Sequence, residues 1–357
     1  MNPDPAQGVR IRLTRWAPEA VLDQPWTSPV VDAGPPLDRL VPSWHATTPP
    51  GSWLEILVRG RADGGWSGWL LLARWASGDD DVRPTTVPGG RDGPAHVEVD
   101  ELALDAGHCW DRWQVQVRRA GRGLDAPTLH RFAAVVSSGA HRHPTTSTPS
   151  ARDLALAVPS MSQQRHRGRY PEYGNGGEAW CSPTAVTMVA AYWGRAPAAA
   201  DTAWVTDGRG DATVPHAARR CYDAAYAGTG NWSFAAAYAA SLGLDAVVTR
   251  LADLTEAEQL VGAGIPIIAS VRFAAEDLDG AGYSTDGHLL VISGFTAAGD
   301  VRCHDPASHS RPIDADVPVT YPRGQFERAW LAGSGGLAYV LRPPDVPLPP
   351  TGADPHW

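Results

Sequence analysis

Between Val9 and Ser137 apolar residues recur at every second position in short runs broken by Gly, Pro and Asp. Trp53-Leu54-Glu55-Ile56-Leu57-Val58-Arg59 and Trp113-Gln114-Val115-Gln116-Val117-Arg118 are two such runs. In the second, Trp113, Val115 and Val117 fall on one face, the period-two signature of a half-buried strand. No helical stripe of useful length interrupts this region, so the pattern predicts an antiparallel β-sandwich over residues 1–137. The periodicity then changes. Thr184–Gly194 carries Val186, Val189, Ala190 and Trp193 at helical spacing, with Gly194 suited to the stop. Phe234–Leu242 and Leu254–Gly262 predict two further helices. Ile265–Val271 and His288–Ser293 are continuous apolar runs of strand length. The expected class is α+β, with a mixed domain over 153–342.

Residues 138–152 are rich in Ser, Thr and Pro and predict a linker at which proteolysis leaves two folded pieces. Residues 343–357 hold six prolines without periodicity and predict a Pro-rich tail. Nine tryptophans between Trp16 and Trp113 fit a sandwich core. Trp66 and Trp69, in a Gly-rich turn, are the ones suited to a surface that binds a glycan or peptide.

The chain has 357 residues and a net charge of −9. That balance argues against nucleic acid or an anionic membrane as partner, because both require basic patches. No run approaches the roughly 18 apolar residues of a membrane span. Met1–Gly8 is polar, with no basic segment leading into an apolar run, so the sequence as given reads as cytoplasmic; a leader ahead of it would make the protein secreted. Cys109, Cys181, Cys221 and Cys303 form no CxxC pair, which removes a disulfide framework and a zinc knuckle. His141 and His143 are lone linker histidines, and Asp79-Asp80-Asp81 lacks EF-hand spacing. No metal or cofactor is expected.

Cys181 stands apart from the other cysteines. It lies in Ala179-Trp180-Cys181-Ser182-Pro183-Thr184, where Pro183 fits the first turn of a helix. A thiol at a helix N-terminus meets free N–H groups and the positive end of the dipole, which favour the thiolate. Cysteine nucleophiles need this, and they need a base. His288 opens an apolar strand and Val301–Asp305 supplies the next. A hairpin centred on Ala297 sets 292 against 301, 290 against 303 and His288 against Asp305, about 4.5–5.5 Å apart at Cβ. Asp305 there fixes the tautomer of His288 and stabilises its charged form. The N–H of Cys181 is one donor for a developing oxyanion, and Gln163 or Gln164 can supply the second.

The order Gln, Cys, His, Asp resembles the papain-like superfamily. Val158-Pro159 with Ser162-Gln163, Trp180 to Thr184, Gly287-His288 and Asp305-Pro306-Ala307 together resemble the peptidase C39-like family, over about 155–340. The preceding half resembles the N-terminal region of its longer members. The resemblance implies Cys181 as nucleophile, His288 as base, Asp305 as orienter and Gln163 rather than Gln164 as oxyanion donor. It also implies substrate contacts at Trp180 and Gly287. Two departures matter. Bacteriocin-processing relatives carry transporter membrane domains, and many relatives have Gly where this chain has Ser182. Cleavage at a double-glycine leader is therefore not implied. The expected activity is a cysteine peptidase or amidase acting on a peptide or protein through an acyl-enzyme. Acyl transfer by the same chemistry and non-catalytic glycan or peptide binding stand as alternatives.

Overall fold

A computed structural model describes residues 10–357 except 63, 80–81, 124, 139–144, 308–315 and 353–354. His141, His143, Asp80 and Asp81 lie outside the described residues. The first half is two facing antiparallel sheets. One runs Arg10–Trp16, Thr128–Ser138, Arg39–Thr47, Leu102–Leu104, Ala95–Val97, Arg91–Asp92 in spatial order. The other runs Trp26–Thr27, Trp110–Gly121, Ser52–Ala62, Leu70–Trp75, Thr85–Thr86. Inward positions alternate as expected: Trp113, Val115 and Val117 are fully buried, with Trp44, Trp75 and Trp110 beside them. Trp66 is 38% exposed, and the Arg59 guanidinium lies 4.8 Å from its ring and 4.5 Å from that of Trp69.

The second half folds around a third antiparallel sheet in the order Asp245–Arg250, Leu337–Arg342, Ile267–Phe273, Thr285–Phe295, Val301–His304, Pro318–Tyr321. Among the described residues six α-helices accompany it: α1 (Cys181–Tyr192), α2 (Ala199–Thr202), α3 (Thr213–Cys221), α4 (Trp232–Ser241), α5 (Leu254–Gly262) and α6 (Arg323–Ser334). The sequence predicts an apolar stripe on α1. The structure buries every residue from Ser182 to Ala190, because α3, α4 and strand Thr285–Phe295 all pack on it.

The halves meet over a packed face and not only through residues 138–152. Phe234 and Ala237 of α4 enter the sandwich core, while Ile11, Leu13 and Val135 join the core of the second half. Asp245 takes Arg15 at 3.2 Å and Arg131 at 3.3 Å, and Arg250 reaches Glu101 at 3.1 Å. Part of the expected linker is strapped down as well. The Ser147 N–H donates to buried Glu327 at 2.8 Å and the Ser150 N–H to buried Glu258 at 2.9 Å. Cleavage within 138–152 should therefore yield two pieces that stay together. Size-exclusion chromatography of nicked protein checks this; separation into two free domains would refute it.

The Pro-rich segment 343–357 forms no regular element among its described residues, yet it is anchored. Trp357 is 7% exposed and packs, with Val346 and Leu348, against the main core. Its Nε1–H donates to Pro349 at 3.0 Å, and the Leu13 N–H donates to the Pro355 carbonyl at 2.8 Å. Proline composition reports the absence of a regular element, not the absence of an anchor.

Candidate functional site

Cys181 is the first residue of α1, at the floor of a cleft of about 1010 Å³. Pro183 falls in the first turn, where its missing N–H costs nothing. The backbone N–H groups of Ser182 and Leu289 donate to the thiol, and His288 hydrogen-bonds it. Packing desolvates the sulfur, which disfavours the thiolate. The charge on His288 and these donors outweigh that and hold the thiol below its ordinary value. Desolvation instead pushes buried Cys221 and Cys303 up, and the Arg220 charge beside Cys221 does not offset it.

His288 and Asp305 come together, though not by the expected pairing. Ile292 opposes Cys303 and not Val301, and Val291 opposes His304. The turn closes later than expected, through Gly299 N–H to the Thr296 carbonyl, and a bulge at Ser293 takes back one residue. The net displacement is two. An even shift leaves each side chain on its original face, so Asp305 becomes a diagonal neighbour of His288. Nε2 of His288 reaches Oδ1 of Asp305 at 2.8 Å, leaving Nδ1 for the thiol.

Asp305 is fully buried and well supplied with donors. Oδ1 also accepts the Ala307 N–H at 2.9 Å, the Asx turn that an Asp-Pro-Ala sequence favours. Oδ2 accepts the hydroxyls of Tyr283 and Tyr321, each at 2.7 Å. Desolvation raises the carboxyl, but His288 and the two tyrosines outweigh it and hold Asp305 below its usual range. Burial alone would push His288 down. Asp305 and Cys181 instead push it up to about 10. Tyr283 also packs edge-to-face with the imidazole, ring centroids 5.6 Å apart. Sequence reasoning missed both tyrosines. A fully buried carboxylate demands donors, but only the sheet order says which ones.

Gln163 is 3% exposed and lines the cleft with Cys181. Its Nε2 donates to the Glu178 carbonyl at 2.6 Å, which leaves one amide hydrogen unused. Its backbone N–H bonds the Pro306 carbonyl at 2.9 Å, tying it to the segment that carries Asp305. Gly177 permits this approach, since a Cβ there would sit 2.4 Å from the Gln163 carbonyl oxygen. Gln164 lines the cleft too. Gly287 is exposed on the cleft wall beside His288. Trp180, expected to touch substrate, does not reach the cleft. It is fully buried against Val214 and Ala218, with Nε1–H donating to Tyr173 at 2.6 Å. His304 and Arg302 turn to the other face of their strand. His304 Nδ1 lies 3.1 Å from Ser293 Oγ, and Arg302 bonds the Phe295 carbonyl at 2.9 Å.

A family model described as the peptidase C39 like family matches residues 155–337, more than half of the chain. A second, the peptidase C39 N-terminal domain, matches residues 23–137. Fold and matched region together define a cysteine peptidase domain built on an α+β sheet and preceded by a β-sandwich. The chain belongs to the peptidase C39-like family. Among solved structures, a Bacillus anthracis protein described as a C39-like peptidase is 19% identical with a TM-score of 0.34, over 53% of this chain and 97% of that one. Prointerpain A from Prevotella intermedia is 16% identical with a TM-score of 0.31, over 57% and 75%. No curated protein matches the chain.

Proposed function

We propose that the protein hydrolyses peptide bonds through an acyl-enzyme on Cys181. One observation carries this reading: the helix-terminal thiol, His288 and Asp305 form a continuous hydrogen-bonded line at the floor of the cleft. The thiolate attacks the carbonyl carbon, and the oxyanion takes the N–H of Cys181 and the spare amide hydrogen of Gln163. His288, as imidazolium, gives its Nδ1 proton to the leaving amine when the C–N bond breaks. Water then attacks the thioester, His288 accepts its proton, and the acid leaves with the thiolate restored. Asp305 stays ionised throughout and holds the ring in the tautomer that points Nδ1 at sulfur.

The reading fixes a pH window. Reactivity should appear as the thiol ionises, below its ordinary value near 9. The imidazolium needed for the leaving group is lost near about 10. Alkylation by iodoacetamide, mapped by peptide mass spectrometry, should label Cys181 at pH 6, where a thiol of ordinary value near 9 is about 0.1% ionised. Faster labelling of Cys109, Cys221 or Cys303 in the native protein would overturn the nucleophile assignment.

A further inference from the structure

The cleft has a wall that the peptidase half does not supply. Residues 98–101, the turn between strands Ala95–Val97 and Leu102–Leu104, line it from the sandwich. The turn closes through Glu98 N–H to the Glu101 carbonyl at 2.9 Å. Asp100 at its tip has φ +74°, a left-handed backbone that costs least for Asn and Asp among residues bearing a side chain. One oxygen, Oδ1, accepts the Trp232 N–H at the first turn of α4, at 2.9 Å.

Every arginine that lines the cleft is answered by an acid. Arg39 meets Glu101 at 2.7 Å and Glu98 at 3.2 Å, and Arg250 meets Glu101 at 3.1 Å. Arg272 meets Asp286 at 3.3 Å and Arg167 meets Glu178 at 3.5 Å. Among the described residues no cation pairs with Asp100. The charges acting on it are Asp223 and Glu101, both acids, and desolvation with these neighbours pushes its carboxyl well above the usual range. Nearby stands Tyr226, 50% exposed in the same cleft. Its ring lies against Gly228, where a Cβ would sit 2.6 Å from a ring carbon, so the bare glycine lets the ring pack close to the backbone. Buried Asp223 holds this loop, accepting the N–H groups of Thr86 and Ala225 at 3.0 Å and Asn231 Nδ2 at 2.8 Å. A Cβ at Gly230 would sit 3.6 Å from the Tyr226 ring, two residues before the Trp232 N–H that Asp100 accepts, and Tyr226, Asp100 and Cys181 line the same cleft.

We propose that Tyr226 and Asp100 form a subsite for a basic side chain near the scissile bond, making lysine- or arginine-bearing peptides the substrate class. An incoming ammonium or guanidinium gains the π face, and its positive charge favours release of the Asp100 proton, so that an ion pair forms in a partly desolvated place. A neutral chain of equal length gains neither. The sandwich thereby contributes to specificity and is not a detached binding module. This inference rests on the assignment of Cys181 as the reactive thiol.

The test measures protection of Cys181 from iodoacetamide by two peptide pools, one with central lysine and one with central norleucine, each randomised at the flanking positions. Lysine peptides should protect at concentrations at least tenfold lower. D100N should bring the ratio close to one. Asparagine keeps the acceptor for the Trp232 N–H and tolerates the left-handed backbone, so the turn survives, and a thermal melt checks that. Equal protection by both pools, or a lysine preference that persists in D100N, overturns the subsite while leaving the nucleophile in place. Absence of Cys181 labelling without peptide overturns the nucleophile reading, and the subsite with it.

Discussion

Cys181→Ala removes all covalent capture by electrophilic probes at the cleft and lowers kcat/KM by at least ~10⁴-fold, the scale seen when a nucleophile is removed from such a constellation. The loss should be chemical, not structural. Cys181 begins α1, and its N-cap Trp180 makes no side-chain cap bond. Alanine leaves the following nine buried residues in place, so the melting curve should move little. His288→Ala should cost a comparable factor, because the thiol loses both the charge that holds it ionised and the proton donor for the leaving amine. The two side chains act as one unit, so the double variant should be no slower than the worse single one. Independent, multiplying losses would mean that thiol and imidazole do not share a step. Retained peptidase activity in Cys181→Ala would refute the mechanism outright.

Local chemistry was legible where local sequence decides it. Pro183 and the apolar run after it place Cys181 at a helix start, and α5 has the expected bounds, Leu254–Gly262. The run from His288 to Ser293 lies inside strand Thr285–Phe295. Asp305 was reachable because strand side chains obey parity: the expected register missed by two, and a miss by one would have put it on the wrong face. The bulge at Ser293 that adjusts this register has no sequence signal short enough to read. The helix α3 did have one. Val214, Ala217, Ala218 and Cys221 are buried at i, i+3, i+4 and i+7, although Arg219 and Arg220 dominate its composition. Tyr283, Tyr321, Asp100 and Tyr226 were not legible, because strand order and the docking of the halves bring them to the site. Trp180 shows the converse. Adjacency to the nucleophile in sequence says nothing about facing the cleft, since a helix start turns consecutive side chains in different directions.

Asp305 separates orientation from charge, and its two variants should part accordingly. Asp305→Ala leaves His288 Nε2 and the hydroxyls of Tyr283 and Tyr321 without their acceptor in a buried place. Each stranded donor costs about 1–3 kcal/mol. Denaturant unfolding should therefore show a loss on the order of 3–5 kcal/mol, together with a fall in turnover. Asp305→Asn should lose less stability than Asp305→Ala. Its Oδ1 still accepts from His288 and Ala307, while its amide can donate to the tyrosine oxygens once their hydroxyls rotate. What it lacks is the charge that, with Cys181, holds His288 up near about 10. Without it the imidazolium gives up its proton at lower pH, so the alkaline limb of kcat/KM must move down while the neutral tautomer stays oriented. A pH–rate profile on both proteins reads this directly. An unchanged alkaline limb in Asp305→Asn would mean that Asp305 acts on His288 through position alone. A limb that rises would contradict the sign of the interaction, because removing a negative neighbour can only weaken the hold of an imidazole on its proton.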